Sequence, residues 1–193
     1  MFTVPSVHFH KVEAFKEHRD KLLTLFESID CKGSPEGLPE DVVTDWFNFN
    51  VKDTHPPYFS YVCKILEPEL KIINQAFGNH ATEVVEVWFQ QSSGKQTHRV
   101  HNHGQDGISC VWYLEFDPSV HHTTKFYSPF PDAFTGNLQE LEPKVKEGDL
   151  IAFPSFIQHE QRPSFSDKRR TIVSFNIKAK NKFKKLGEQI TKL

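Results

Sequence analysis

Cysteine is scarce in this chain of 193 residues: Cys31, Cys63 and Cys110 are the only three, and they stand far apart. An odd, scattered set argues against a disulfide framework, and without a Cys-x-x-Cys pair no zinc or dithiol chemistry is indicated. A reducing compartment suits such a chain. A basic surplus is missing as well, since the formal net charge is −2. That argues against nucleic acid as the main partner, because phosphate recognition draws on an excess of Lys and Arg. No apolar run reaches membrane-spanning length, and the opening MFTVPSVHFHKVEAF lacks the basic-then-apolar layout of a secretion signal. Neither an internal repeat nor a low-complexity tract is visible. The expectation is a soluble, cytoplasmic protein with no membrane contact.

Phenylalanine is abundant, at 18 residues, and points to an aromatic, sheet-rich core. The length suits a single domain spanning 1–193. The stretch VPSVHFH alternates and reads as a first strand. In KVEAFKEHRDKLLTLFESID, Val12, Phe15, Leu22, Leu23 and Phe26 fall at helical spacing. Pro and Gly punctuate CKGSPEGLPEDVVTDWFNFNVKDTHPPYF, which reads as mostly loop around a short helix or strand. SYVCKILEPELKIINQAFG reads as a further helical region, with Pro68 opening a second segment and Gly78 ending it. Residues 1–78 are thus a helical support region with one strand.

After Gly78 the texture changes. TEVVEVWFQQ, GISCVWYLEF, TTKFYS, DLIAFPSF and RTIVSFNIKAK are strands by β-branched and aromatic content, separated by turn clusters such as QSSGKQ, DPSVHH, SPFPDAFTGN and KEGD. Short strands preceded by helices predict a mostly β protein, a sandwich or barrel with helices on one face. The lysine-rich end, residues 179–193, reads as a solvated tail or helix.

The stretch QTHRVHNHGQDGISCVWYLEF gathers His98, His101 and His103 ahead of a strand. Residues two apart on a strand share a face and residues three apart do not. His101 and His103 can therefore reach one metal ion, while His98 is expected to point elsewhere unless the chain turns. Antiparallel pairing can bring the distant His159 beside them. A catalytic metal needs few protein ligands and open positions. Arg170 starts a run in which Ile172, Ser174 and Asn176 share its face, and an arginine facing a barrel interior must find an anion. Its guanidinium suits a carboxylate bidentately. Each residue also has a plain reading: His159 as a strand-end residue, Arg170 paired with Asp167 on a turn, Tyr113 as core.

Together these motifs resemble the Fe(II)- and 2-oxoglutarate-dependent oxygenases, closest to their prolyl-hydroxylase-like branch and its small bacterial and phage relatives. CVWYLEF is similar to the CIYYL strand of prolyl hydroxylases, and GDLIAFPSFIQHEQRP to a GdlvlFPswlrHev.P stretch of the small relatives. The resemblance covers roughly residues 80–178. It implies a double-stranded β-helix (jelly-roll, cupin-like) core over 79–178. It also implies His101, His103 and His159 at the metal, and Arg170, eleven residues past His159, on the distal carboxylate of 2-oxoglutarate. Tyr113 and Ser174 become further contacts to that carboxylate. The family's carboxylate ligand is replaced here by His103, which leaves three arrangements open: His103 binds, water fills the position, or Asp106 swings in.

The activity so implied is a dioxygenase using Fe(II), O2 and 2-oxoglutarate, coupling decarboxylation of the cosubstrate to C–H oxidation. Its substrate would be a peptide, prolyl by analogy, or a small molecule, met by loops such as WFNFNVKDTHPPYF and SPFPDAFTGN. Rival readings are a cupin-like metal enzyme without 2-oxoglutarate, a non-enzymatic β-sandwich module, and a base-repair type oxygenase, which the charge disfavours. An exposed helical layer is compatible with a homodimer.

Overall fold

The computed structural model describes residues 7–31 and 41–180. The first part of the expected opening strand and the lysine-rich stretch from 181 onward lie outside the described residues. In chain order the elements are β1 (His8–Lys11), α1 (Phe15–Glu27), β2 (Val43–Thr44), α2 (Trp46–Phe49), a 3-10 turn (Asn50–Lys52), α3 (Phe59–Ile65) and α4 (Glu67–Ala76). Then come β3 (Thr82–Ser92), β4 (His98–His101), β5 (Ile108–Glu115), β6 (Thr124–Pro131), β7 (Leu138–Leu141), β8 (Asp149–Pro154), β9 (His159–Gln161) and β10 (Arg170–Ala179). Pro68 sits in the first turn of α4, where its missing N–H costs nothing.

The strands form two antiparallel sheets, ordered β1-β8-β5-β10-β3-β2 and β4-β9-β6-β7. This is the expected mostly β jelly-roll with helices on one face. Strand alternation makes it work. From β5, β8, β10 and β3, the side chains of Cys110, Trp112, Leu114, Leu150, Ala152, Val173, Phe175, Ile177, Val87 and Phe89 face outward. There they join Phe15, Leu22, Leu23 and Phe26 of α1 and Tyr58, Val62 and Ile73 from the next helical region in one core. The alternate residues Val111, Tyr113, Ile151, Phe153 and Ile172 face inward and pack with Phe126, Val145 and Ile157 between the sheets. Strands buried on both faces read as continuous apolar runs, which is why these were found in the sequence.

Three short strands were not expected, β4, β7 and β9, whereas β2 and α2 fall in the stretch read as loop around a short helix or strand. SPFPDAFTGN also departs from its reading as a turn cluster. Its first four residues extend β6, which pairs with β7, and Pro131 is tolerated there at the strand's end. Gly107 opens β5 with φ +97°, and a Cβ there would lie 2.6 Å from the Ile177 carbonyl oxygen, so only glycine fits.

Candidate metal centre

β4 and β9 meet with His101 opposite His159 and His98 opposite Gln161. Three residues on β4 therefore span two on β9, so β4 carries one extra residue. Cross-strand partners present their side chains to the same side, which accounts for His101 and His159 standing together with ring centroids 4.3 Å apart. The bulge also overturns the expectation for His98. With one residue absorbed, positions three apart share a face, and His98 stacks on His101 at 3.9 Å and 30°.

His103 follows the strand, its backbone N–H donating to the Ser155 carbonyl at 2.9 Å. One ring nitrogen from each of His101, His103 and His159 lies within 4.8 Å of the others, a set that could hold a metal ion. Two of these rings are already set for that task. The Nδ1–H of His101 donates to the Arg99 carbonyl at 2.6 Å, and that of His159 to the Ile157 carbonyl at 2.9 Å. Each bond fixes the tautomer and leaves the Nε2 lone pair free. His103 has no such bond among the described residues; its ring lies 5.1 Å from that of His159 and 5.3 Å from Trp88.

Burial keeps these imidazoles neutral. It pushes His159 down to about 3, aided by His101, and His103 down to about 2, aided by His159, His101 and His98. His101 is lowered by burial. Burial first, then His101, His159 and Arg170, brings His98 to about 3. Metal binding requires the unprotonated ring, so this environment favours it.

Arg170, at the start of β10 in the other sheet, is 2 % exposed. Its Nη1 donates to Gln161 Oε1 at 2.6 Å, and Gln161 Nε2 in turn donates to Ser92 Oγ at 2.6 Å. Nε and Nη2 are buried without a partner among the described residues. Those two atoms form one edge of the guanidinium, the fork that a carboxylate grips bidentately. Burial also lowers its pKa. The plain alternative, a turn pair with Asp167, is not what the structure holds.

Arg170, Ser174, Thr124 and the three imidazoles line one cavity. Tyr113, expected on the same carboxylate, lies with its ring under Arg170 at 5.3 Å and its hydroxyl 2.9 Å from Thr124 Oγ1. Thr124 presents itself to the cavity instead. Asp106 does not reach the imidazoles; it is exposed and accepts from Lys178 Nζ at 3.4 Å.

Outside the imidazoles an open cleft is walled by Trp46, Phe47, Trp88 and Arg99. Trp46 meets Trp88 edge-on at 4.7 Å and 75°. Asp45 holds this wall in place, accepting the Tyr58 hydroxyl at 2.6 Å and the Phe89 N–H at 3.0 Å. Burial raises its carboxyl to about 6 against the lowering effect of those bonds. Of the two aromatic stretches expected at the mouth, WFNF supplies the wall, whereas Phe130 and Phe134 stand exposed away from the cleft. Sequence reasoning missed Gln161, Gln90, Thr124 and Asp45. Their roles follow from strand register and carry no local signal, except that the density of aromatics in DWFNF could have marked the wall.

The donor set fits Fe(II) with a dicarboxylate cosubstrate: three neutral imidazole nitrogens at one end, an unneutralised guanidinium edge at the other.

Residues 86–176 match the model of the family described as "Putative 2OG-Fe(II) oxygenase". No curated protein sequence is significantly similar to the chain. Solved structures share its fold. A prolyl-4-hydroxylase of Pseudomonas putida is 14 % identical, with 92 % of this chain and 94 % of that one covered and a TM-score of 0.60. HygX of Streptomyces hygroscopicus, solved with nickel, 2-oxoglutarate and hygromycin B, is 11 % identical, with 91 % and 84 % covered and a TM-score of 0.64. A Trichoplax adhaerens prolyl hydroxylase, in complex with a hypoxia-inducible-factor peptide fragment, is 12 % identical, with 89 % and 83 % covered and a TM-score of 0.61.

Proposed function

Given that this chain belongs to the Fe(II)- and 2-oxoglutarate-dependent oxygenases, we propose that it is a hydroxylase, acting on a residue of a peptide, with proline the leading choice. His101, His103 and His159 hold the iron through their ring nitrogens. Arg170 receives the far carboxylate of 2-oxoglutarate on its Nε/Nη2 edge, with Ser174 and Thr124 as hydroxyl donors beside it. Tyr113 acts from below, supporting the guanidinium with its ring. The observation that carries this reading is the pairing, in one cavity, of a three-imidazole set with a buried arginine edge that has no partner among the described residues.

When bound, iron and 2-oxoglutarate together supply the oxidative decarboxylation to succinate and carbon dioxide, and the power to oxidise a C–H bond with O2. The protein's own work is orientation. The carbonyls of Arg99 and Ile157 hold two imidazoles in the ligating tautomer. Neutral His103 in place of a carboxylate leaves the metal's charge undiminished, which strengthens anion binding and raises the iron's reduction potential.

The peptide reading draws on the outer cleft, which is open and aromatic. An apolar ring fits the corner made by Trp46 and Trp88, as proline-rich segments fit aromatic-lined grooves elsewhere. The related Trichoplax enzyme was solved with a peptide. A small molecule is the other substrate class; HygX was solved with hygromycin B bound.

The test is anaerobic titration with Fe(II) and then 2-oxoglutarate, following the visible metal-to-ligand charge-transfer band. Admission of O2 with proline-containing peptides should then raise succinate release and add 16 mass units to the peptide. A chain that binds Fe(II) yet gives no band with 2-oxoglutarate is not an enzyme of this class.

A further inference from the structure

His98 remains once the proposed iron and cosubstrate positions are assigned. It belongs to neither set, yet it sits among them. Its Nδ1 lies 3.0 Å from Gln90 Nε2. An amide nitrogen can only donate, so Nδ1 is the acceptor and the ring's proton is on Nε2. Stacking on His101 clamps the ring flat, which leaves that N–H little freedom to turn. Nε2 has no hydrogen-bond partner among the described residues and is not one of the buried orphan atoms. His98 lines both the inner cavity, with Arg170, and the outer cleft. Nε2 thus keeps access to the space it lines and can donate to whatever occupies it, while Nδ1 is held by Gln90.

We propose that His98 is a further binding residue of the cosubstrate site. Its Nε2–H donates to a carboxylate oxygen of 2-oxoglutarate, on the flank between the imidazole set and Arg170. Gln90 is the positioning residue that keeps the proton on Nε2. This inference rests on the 2-oxoglutarate reading above. A donor that is neutral and held in orientation can grip an anion without adding a positive charge beside Arg170.

The experiment compares the wild-type chain with His98→Phe, His98→Gln and Gln90→Leu, each loaded with Fe(II) and titrated anaerobically with 2-oxoglutarate. Cobalt(II) affinity without cosubstrate is measured separately from its visible absorption. Losing a hydrogen bond to a charged group predicts a dissociation constant roughly tenfold to a hundredfold weaker for His98→Phe. His98→Gln, which keeps a donor, should stay within about threefold, and Gln90→Leu should weaken binding several-fold; cobalt binding should hold in all three.

Unchanged 2-oxoglutarate affinity in His98→Phe overturns the inference. So does a parallel loss of cobalt, which would make the ring a scaffold for His101. If His98→Phe fails to fold, Gln90→Leu decides alone, and wild-type affinity there overturns the inference. A wild-type chain without a charge-transfer band sinks the oxygenase reading itself, whereas a wild-type band with an indifferent His98→Phe sinks only the role of His98.

Discussion

Replacing Arg170 with methionine tests whether the protein tolerates a poorly solvated charge for the sake of its ligand. The guanidinium is buried with Nε and Nη2 unpartnered among the described residues, and no described carboxylate forms an ion pair with it. Each idle donor costs about 1–3 kcal/mol, so methionine relieves about 4 kcal/mol. Against that, the change loses the bond to Gln161, worth about 1.5–3 kcal/mol as a charge-assisted contact, and the placement over Tyr113, worth about 1–2 kcal/mol. Those terms nearly cancel, and the uncompensated charge decides the sign. Replacing even a paired buried charge by apolar groups of similar volume is often neutral or stabilising by about 1–4 kcal/mol, and for this unpaired one about 2 kcal/mol is expected. At about 2–4 °C per kcal/mol for a chain of this size, the metal-free variant should melt about 4–8 °C above wild type in a calorimeter. The second arm adds manganese(II) and 2-oxoglutarate. At a hundred times its dissociation constant, a ligand stabilises by about 2.7 kcal/mol, and only wild type should gain that from 2-oxoglutarate. A metal-free variant that melts well below wild type, or one that gains equally from 2-oxoglutarate, refutes the reasoning.

Other expectations concern the imidazoles and the backbone. His103→Asp should bind divalent metal at least as tightly as wild type but 2-oxoglutarate more weakly, because the site loses a positive charge. His103→Leu should lose metal affinity by roughly tenfold or more, since even a lost outer partner of a ligand costs that much; calorimetric titration distinguishes the two. The pH dependence of the metal-free protein follows from the lowered pKa values of His98, His103 and His159, at about 3, 2 and 3. Between those values and 6.5 the unfolded chain binds more protons. Their stabilising contribution is therefore complete above pH 6.5 and drains as pH falls toward 3, on the order of 2 kcal/mol per imidazole by pH 5. Asp45, raised to about 6, acts in the other sense, its contribution being lost as pH rises through 6. Urea unfolding at pH 5 and 7 should show the imidazoles prevailing, and equal stability at both would count against their burial. Gly107→Ala forces a Cβ to within 2.6 Å of a carbonyl oxygen at φ +97°; it should cost more than about 2 kcal/mol, and a melting point within 2 °C of wild type would contradict that.

The long strands were legible because burial on both faces leaves a dense apolar record, as in CVWYL and LIAF. The short ones were not. β4 and β9 are four and three residues long, and histidine and glutamine occupy the positions where an apolar pattern would show. The reach of His101, His103, His159 and Arg170 into one cavity could be read from alternation and family resemblance. His98 could not, since nothing in RVHN marks a bulge and one extra residue reverses which face a side chain takes. Gln161 and Gln90 acquire meaning only through the strands opposite them. Asp45 likewise depends on Tyr58 and Phe89, thirteen and forty-four positions away.

The imidazoles His101 and His159 stand on the four-stranded sheet, while Arg170 stands on the six-stranded one. On the proposed reading, a diacid gripped at both ends would rivet the two halves of the sandwich across their seam. Substitutions among Phe126, Val145 and Ile151, which pack between those halves and do not line the cavity, should thus change how long the cosubstrate stays.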